Sequence, residues 1–224
     1  MGRSFCRLTH DMKPLLLLLM FPALWISAVP GTGGDGKTSG NLQAAYREEM
    51  AATATYAAFA EQATKDNLPL IALLFTAASR SEAVHAANYR TILEKKGIRI
   101  PESRPEFAVL TTKENLETAV SQETKEIQEI YPGYITTAKQ ESEMNALKTL
   151  RWAMETEKRH AICFRNALAA LNGGFLDNLP KVYWVCPKCG NTYDVPDPEN
   201  MCSLCGTMNT RFIRIGTAAG NLQE

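Results

Sequence analysis

The sequence predicts an all-α four-helix bundle followed by a small four-cysteine metal domain. Three observations carry this reading. Beyond the first 30 residues the chain has only two histidines, and each follows a glutamate by three positions, in Glu82-Ala-Val-His85 and Glu157-Lys-Arg-His160. The stretch from about Asn41 to Leu171 reads as one helical hairpin written twice. Of the five cysteines after Cys6, four fall in Cys186-Pro-Lys-Cys189 and Cys202-Ser-Leu-Cys205.

The N-terminus is set apart first. Arg3, Arg7 and Lys13 precede the apolar run Leu15 to Ile26, small residues follow at Ser27 and Ala28, and residues 31–40 are rich in glycine. That is the layout of a secretory signal peptide. The run is shorter than the roughly 20 residues a membrane span needs. Residues 1–30 are therefore expected to be a leader and 31–40 a linker, which implies an exported, periplasmic protein. An uncleaved anchor is one alternative; a start codon placed too early, with a cytoplasmic protein, is another. What is left suffices for one good core plus a small appended module. Formal net charge is zero, and no basic stripe interleaved with aromatics marks a nucleic-acid partner.

The repeat organises residues 41–174. Asn41-Leu42 recurs as Asn115-Leu116, and Glu49 as Glu123, at an offset of 74. From there the offset is 75, pairing Tyr56 with Tyr131, Glu82 with Glu157 and His85 with His160. The second copy thus carries one extra residue between Glu123 and Tyr131, and a single insertion inside a helix is often absorbed as a π-bulge. The first helix is expected from about Asn41 to Lys65, ended by Asp66-Asn67. The second starts near Pro69 and ends at Lys95-Lys96-Gly97, with cations and Gly at its C-terminus. Ile98 to Leu110 holds Pro101 and Pro105 and is not helical. Extended, it is long enough to cross the bundle, so the second and third helices can run parallel. The third helix opens with the capping box Thr111-x-x-Glu114, and Pro132-Gly133 should bend it or end it a turn later. The fourth runs from about Ser142 to Leu171, stopped by Asn172-Gly173-Gly174.

The chemistry follows from spacing. Residues at i and i+3 share a helix face, so each Glu-x-x-His pair offers a carboxylate and an imidazole to one point. Two such pairs, with one Glu from each of two further helices, form the inward-facing di-iron or di-manganese site of ferritin-like bundles. The repeat selects Glu49 and Glu123 as the added glutamates, since neighbouring Glu48 has no aligned partner. Glu126, three residues after Glu123, is a seventh candidate, and its counterpart Ala52 breaks the symmetry. Tyr56 and Tyr131 are placed to donate to a carboxylate or to bound oxygen species, or else are core aromatics. Cys163 reads as a buried core thiol. Cys186, Cys189, Cys202 and Cys205 can close tetrahedrally on one metal. Iron would make a redox centre, zinc a structural ribbon, and two disulfides are the metal-free alternative.

In order and spacing these segments resemble rubrerythrin. The matching residues are Asn41-Leu42 through Glu49, Tyr56-Ala-Ala-Phe59-Ala60-Glu61, Ser81 to Ala86, Glu123-x-x-Glu126, Tyr131-Pro132, Glu157-x-x-His160-Ala161 and both knuckles. The resemblance covers about residues 41 to 215. It implies a ferritin-like bundle over 41–174 and a rubredoxin-like domain over 175–224. Glu82 and Glu157 would bridge two irons, Glu49 and Glu123 would be terminal, and His85, Glu126 and His160 would complete the site. Glu126 and His85 would exchange at one iron with its redox state. A third iron, or a zinc, would sit on the four cysteines. The implied activity is reduction of hydrogen peroxide to water, with electrons passed from a donor protein through the rubredoxin-like centre, in a homodimer or larger homo-oligomer. A leader peptide departs from the pattern of a cytoplasmic family and puts a nicotinamide donor in doubt. Two other functions fit parts of the pattern: an iron-oxidising or iron-storage protein of the ferritin class, and a structural bundle with a zinc ribbon for contacts.

Overall fold

The computed structural model describes residues 36–102 and 104–216. The expected leader, residues 1–30, lies outside the described residues. Among the described residues no helix is long and apolar enough to cross a membrane.

Five α segments follow in order: α1 (Lys37–Lys65), α2 (Pro69–Lys95), α3 (Thr112–Lys125), α4 (Tyr131–Gln140) and α5 (Met144–Gly173). A π-helical segment, Glu126–Ile130, joins α3 to α4 without a break, so the two form one rod and the bundle has four members. The Tyr131 N–H donates to the Glu126 carbonyl, five residues back, which is the π pattern. The extra residue of the second repeat copy is absorbed here. The rod does not end a turn after Pro132-Gly133, one of the two expected outcomes, and α4 continues to Gln140. The reason is local: the widened π turn lies immediately before Pro132, so its ring does not meet a carbonyl in α register.

Both hairpins turn in the same way. Asn67 and Ser142, one repeat apart, adopt the left-handed region at φ 59° and 57°. Leu68 N–H then donates to Ala63 O, and Glu143 N–H to Ala138 O, each at 2.9 Å. Each turn also caps the other hairpin. The Asp66 carboxylate accepts from Thr112 N–H at 3.2 Å and from its hydroxyl at 2.6 Å. The Glu141 carboxylate accepts from Lys37 N–H and Thr38 N–H, both at 2.9 Å. This tertiary cap corrects the last part of the expected linker over 31–40, whose residues 31–35 lie outside the described residues: α1 begins at Lys37, and Thr38 and Ser39 are buried.

The Lys96–Glu143 ion pair sets the end of α2 beside the start of α5, while the Asp66 cap holds the start of α3 at the opposite end. Hence α2 and α3 run parallel, and the connection between them crosses the bundle, with Ile98 and Ile100 on the core. Two apolar clusters fill the interior. One gathers Tyr56, Phe59, Phe75, Leu116 and Phe164; the other gathers Leu42, Tyr89, Leu93, Tyr131 and Leu150. Along every helix the predicted ligands fall between residues of the two clusters.

The C-terminal module is a three-stranded antiparallel sheet in the order β2-β1-β3, from β1 (Val182–Val185), β2 (Thr192–Tyr193) and β3 (Ile213–Gly216). Tyr183 and Val185 of β1 join the first apolar cluster of the bundle, so the module shares the bundle's core.

The reciprocal caps are tested by Asp66→Ala and Glu141→Ala. Each variant is expected to lower the urea midpoint with an unchanged slope, and the two shifts should add, because the caps sit at opposite ends of the bundle. Circular dichroism melts in urea check this; midpoints equal to the parent's would leave the caps without energetic weight.

Candidate metal centre

All four helices bring carboxylates to one buried point. Glu49, Glu82, Glu123 and Glu157 are each at most 3% exposed, and His85 and His160 at most 1%. They form two overlapping groups, Glu49-Glu82-His85-Glu157 and Glu82-Glu123-Glu157-His160, with ligand atoms within 4.8 Å of one another in each. Glu82 and Glu157 belong to both. Glu82 puts Oε2 at 2.9 Å from His85 Nδ1 and Oε1 at 3.0 Å from His160 Nδ1. Glu157 does the same with its oxygens reversed, Oε1 to His85 and Oε2 to His160, both at 3.0 Å. Glu49 faces only His85, at 3.6 Å, and Glu123 only His160, at 3.8 Å. The arrangement provides two ion positions sharing two carboxylates.

The tyrosines complete a pseudo-twofold pattern. Tyr56 Oη donates to Glu123 Oε1 at 2.7 Å, and Tyr131 Oη donates to Glu49 Oε1. Each hairpin's phenol therefore holds the other hairpin's glutamate. Tyr89 Oη lies 3.1 Å from Tyr131 Oη; its repeat counterpart is Phe164, so only one side carries a second hydroxyl. Glu126 is half-buried at the start of the π segment and falls in neither four-ligand group. Cys163 is half-buried against the first apolar cluster, and burial pushes its thiol up to about 12, so it stays protonated.

The buried charges are costly without cations. Burial pushes Glu49 up to about 8 against the pull of His85. It drives Glu123 and Glu126 well above the carboxylate range, and neighbouring carboxylates add to this. At Glu82 burial also acts upward, but the two imidazoles prevail and hold it at about 2. Burial pulls both histidines down, yet the facing carboxylates more than reverse it and raise them well above the usual imidazole range. Protons thus neutralise the metal-free cluster. Glu82 Oε1, Glu123 Oε2, both Glu157 oxygens and His160 Nδ1 are buried without a hydrogen bond of proper geometry, although several lie close together. Atoms aimed at a shared point between them, all hard oxygen or imidazole donors, suit a pair of iron-type ions.

The outer nitrogens of both imidazoles meet the C-terminal module. His85 Nε2 is 3.2 Å from Cys189 O, and His160 Nε2 is 3.0 Å from Thr192 Oγ1. A carbonyl only accepts, so His85 Nε2 carries a proton. The Thr192 hydroxyl sits 3.2 Å from Gly190 O, to which it donates, so it accepts from His160 Nε2–H. Both rings are thereby oriented with Nδ1 toward the carboxylates, as metal-ligating histidines generally are. Ser81 Oγ donates to Gly190 O at 2.7 Å, and Asn88 Nδ2 to Lys188 O at 2.9 Å. Gly190 has φ +82°, and a Cβ there would lie 2.3 Å from His85 Nε2, so turn and close approach both demand glycine. Nothing in the sequence assigns these contacts to Ser81, Asn88 and Thr192, which follow no spacing rule.

The four cysteine sulfurs gather at the far side of the same segment. Cys186 Sγ is 3.5 Å from Cys205 Sγ, and Cys189 Sγ 3.5 Å from Cys202 Sγ. All four are free thiols, which replaces the two-disulfide alternative, since a disulfide spans about 2.05 Å. Sulfurs at this spacing match a tetrahedron with bonds of about 2.3 Å.

The cluster's protons give a pH test. In the metal-free protein Glu49 holds its proton up to about 8, whereas an unfolded glutamate releases it near 4.3. Its stabilising contribution is full below the unfolded value and lost as pH rises through the folded one. The raised histidines act in the same direction above about 6.5. Metal-free protein should therefore melt at lower temperature as pH rises from 5 to 8. Iron-loaded protein should show the opposite slope, because metal binding strengthens as ligands lose protons. Parallel slopes in the two forms would remove the cluster as a metal site.

A family model described as Rubrerythrin matches residues 40–168. Rubrerythrin-2 of Clostridium acetobutylicum is 32% identical over 182 residues, covering 80% of this chain and 96% of that protein. Nigerythrin of Nitratidesulfovibrio vulgaris is 31% identical over 172 residues, covering 76% of this chain and 82% of that protein. Among solved structures, fully reduced nigerythrin with all irons ferrous aligns at a TM-score of 0.71 and 26% identity, over 81% of this chain and 91% of that one. With more than half of its length under the family model and relatives matched nearly end to end, this chain belongs to the rubrerythrin family of iron-binding oxidoreductases in oxidative-stress defence.

Proposed function

We propose that the chain is a non-haem di-iron peroxidase that reduces hydrogen peroxide to water, with electrons relayed through the rubredoxin-like four-cysteine iron. One observation carries the reading. Both imidazoles turn Nδ1 into the carboxylate cluster and Nε2 onto the four-cysteine module, His85 at 3.2 Å from the carbonyl of Cys189. A ligand candidate of one centre is thus hydrogen-bonded to the backbone of a ligand of the other, a short through-bond route for single electrons. A storage site or a structural ribbon has no use for it.

The reaction takes one peroxide, two electrons and two protons and releases two waters. Two irons, when bound, would supply the two electrons, and an iron on the four cysteines would be the source of single electrons to replace them. Glu82 and Glu157, which belong to both four-ligand groups, would be shared by the two ions, while Glu49 with His85 and Glu123 with His160 would each hold one. Tyr56 and Tyr131 keep their protons, since burial and the adjacent carboxylates raise both phenols well above their usual range. They remain donors that steady Glu123 and Glu49 as charge in the site changes. Glu126 sits one turn from Glu123 beside the site. There it would be an anionic alternative to His85 as a ligand, placed where the π segment Glu126–Ile130 begins.

Cys189→Ser should abolish steady-state peroxide turnover driven by a donor while chemically reduced protein still consumes about one peroxide per di-iron site. Full donor-driven turnover in that variant would remove the relay. Glu126→Ala should retain two irons, slow oxidation by peroxide at least about tenfold, on the scale of losing a positioned catalytic group, and shift reactivity toward oxygen. An unchanged ratio of peroxide to oxygen rates, measured by stopped flow, would reduce Glu126 to a bystander.

A further inference from the structure

We infer that the groove between the first half of α5 and the second cysteine knuckle docks a small one-electron carrier protein with an acidic face, and is where electrons enter the four-cysteine centre. This rests on the relay reading above and adds the surface and the chemistry of the donor. The groove's floor is apolar, made by Met144, Leu147, Trp152 and Leu204, and Met144 is 66% exposed. Trp152 ties the groove to the metal site. Its ring packs against the buried cysteine cluster, and its Nε1–H donates to Leu204 O at 3.2 Å. Leu204 lies between Cys202 and Cys205, so the indole touches the second knuckle from outside.

The rim is cationic. Lys148 Nζ stands 5.3 Å from the Trp152 ring centre and Lys188 Nζ 5.9 Å, and Arg151 lines the same groove. All three are exposed. None of the ion pairs among the described residues includes them. The groove's one acid, Glu155, is taken up by Lys158 at 2.6 Å. Three uncompensated cations around an aromatic floor attract a partner with an anionic rim and an apolar centre. Three charges without a stripe are too few for nucleic acid. Electron-transfer encounters use small, transient faces with charge complementarity, which speeds association more than it tightens binding. No residue lining the groove belongs to the carboxylate cluster, so a donor there leaves that cluster covered.

The test uses the full-length, iron-loaded protein and a reduced flavodoxin of net negative charge, with reduction of the ferric four-cysteine centre followed by its visible absorbance. The second-order rate constant should fall with added salt and drop at least about tenfold in the double variant Lys148→Glu/Arg151→Glu, the range set by electrostatic steering. Reduction by a small uncharged flavin radical should be unchanged, as should peroxide oxidation of the chemically reduced variant. A rate insensitive to salt and to charge reversal overturns the docking surface while leaving the relay intact. Equal slowing with the uncharged flavin also overturns it, by showing damage to the centre itself. Conversion of a parent dimer to monomer by the variant would assign the face to a second copy of this chain instead. A colourless centre that no reductant changes refutes the relay, and the surface's role falls with it.

Discussion

Four carboxylates buried in two overlapping groups that share Glu82 and Glu157 are the constraint on which the rest of this molecule depends. Alone they would repel, and burial would protonate them, as the upward displacement of Glu49 and Glu123 illustrates. Two imidazoles relieve part of this, holding Glu82 low. The rest of the charge calls for cations. Helices are the economical frame for such a site, because their own backbone groups are satisfied and only side chains need enter the interior. The two apolar clusters on either side shut water out and fix rotamers, so the carboxylates cannot relax apart.

Duplication gives the cluster its symmetry, and the departures from symmetry give it direction. The turns at Asn67 and Ser142, the caps from Asp66 and Glu141, and the crossed Tyr–Glu pairs all repeat. Three features do not. The π segment exists only in the second copy, Tyr89 is answered by Phe164, and His85 and His160 meet different acceptors. The first two differences both fall on the Glu49–His85 position: Tyr89 reaches it through Tyr131, and Glu126 projects beside it. The four-ligand group of Glu49 and His85 thereby has an additional phenol behind it and an additional carboxylate beside it.

Much of this was legible in the sequence because duplication supplied its own control. A lone glutamate on a helix says little, but Glu49 and Glu123 matched across the repeat, while Glu48 did not. The single-residue change of offset located the π turn between Glu123 and Tyr131. What escaped reading depended on tertiary contact. The start of α1 at Lys37 is set by a carboxylate about a hundred residues away, not by local capping. Pro132 breaks an α-helix but not one that has just widened. The turn at Ser142 carries no glycine, and its left-handed residue is visible only through its likeness to Asn67. Its spacing makes Glu126 a ligand candidate, yet it lies outside both four-ligand groups. Ser81, Asn88 and Thr192 follow no spacing rule, since they matter only once a distant module has docked.

That docking makes two modules a single device. The bundle provides charge and donor atoms but leaves both imidazoles with an outer N–H facing outward. The four-cysteine module closes that side with backbone carbonyls and one hydroxyl, drawn from the four residues Cys189 to Thr192. Cys189 is itself a thiolate candidate, so the geometry that places its sulfur on one centre also places its carbonyl on the imidazole of the other. Gly190 then has to satisfy three demands together: the left-handed turn of the knuckle, contact with His85 at a distance no Cβ permits, and a carbonyl that accepts from both Ser81 and Thr192. A side chain there would push the module off the bundle and leave both imidazole N–H groups without acceptors. The alignment of the two centres therefore rests on one residue with no functional group.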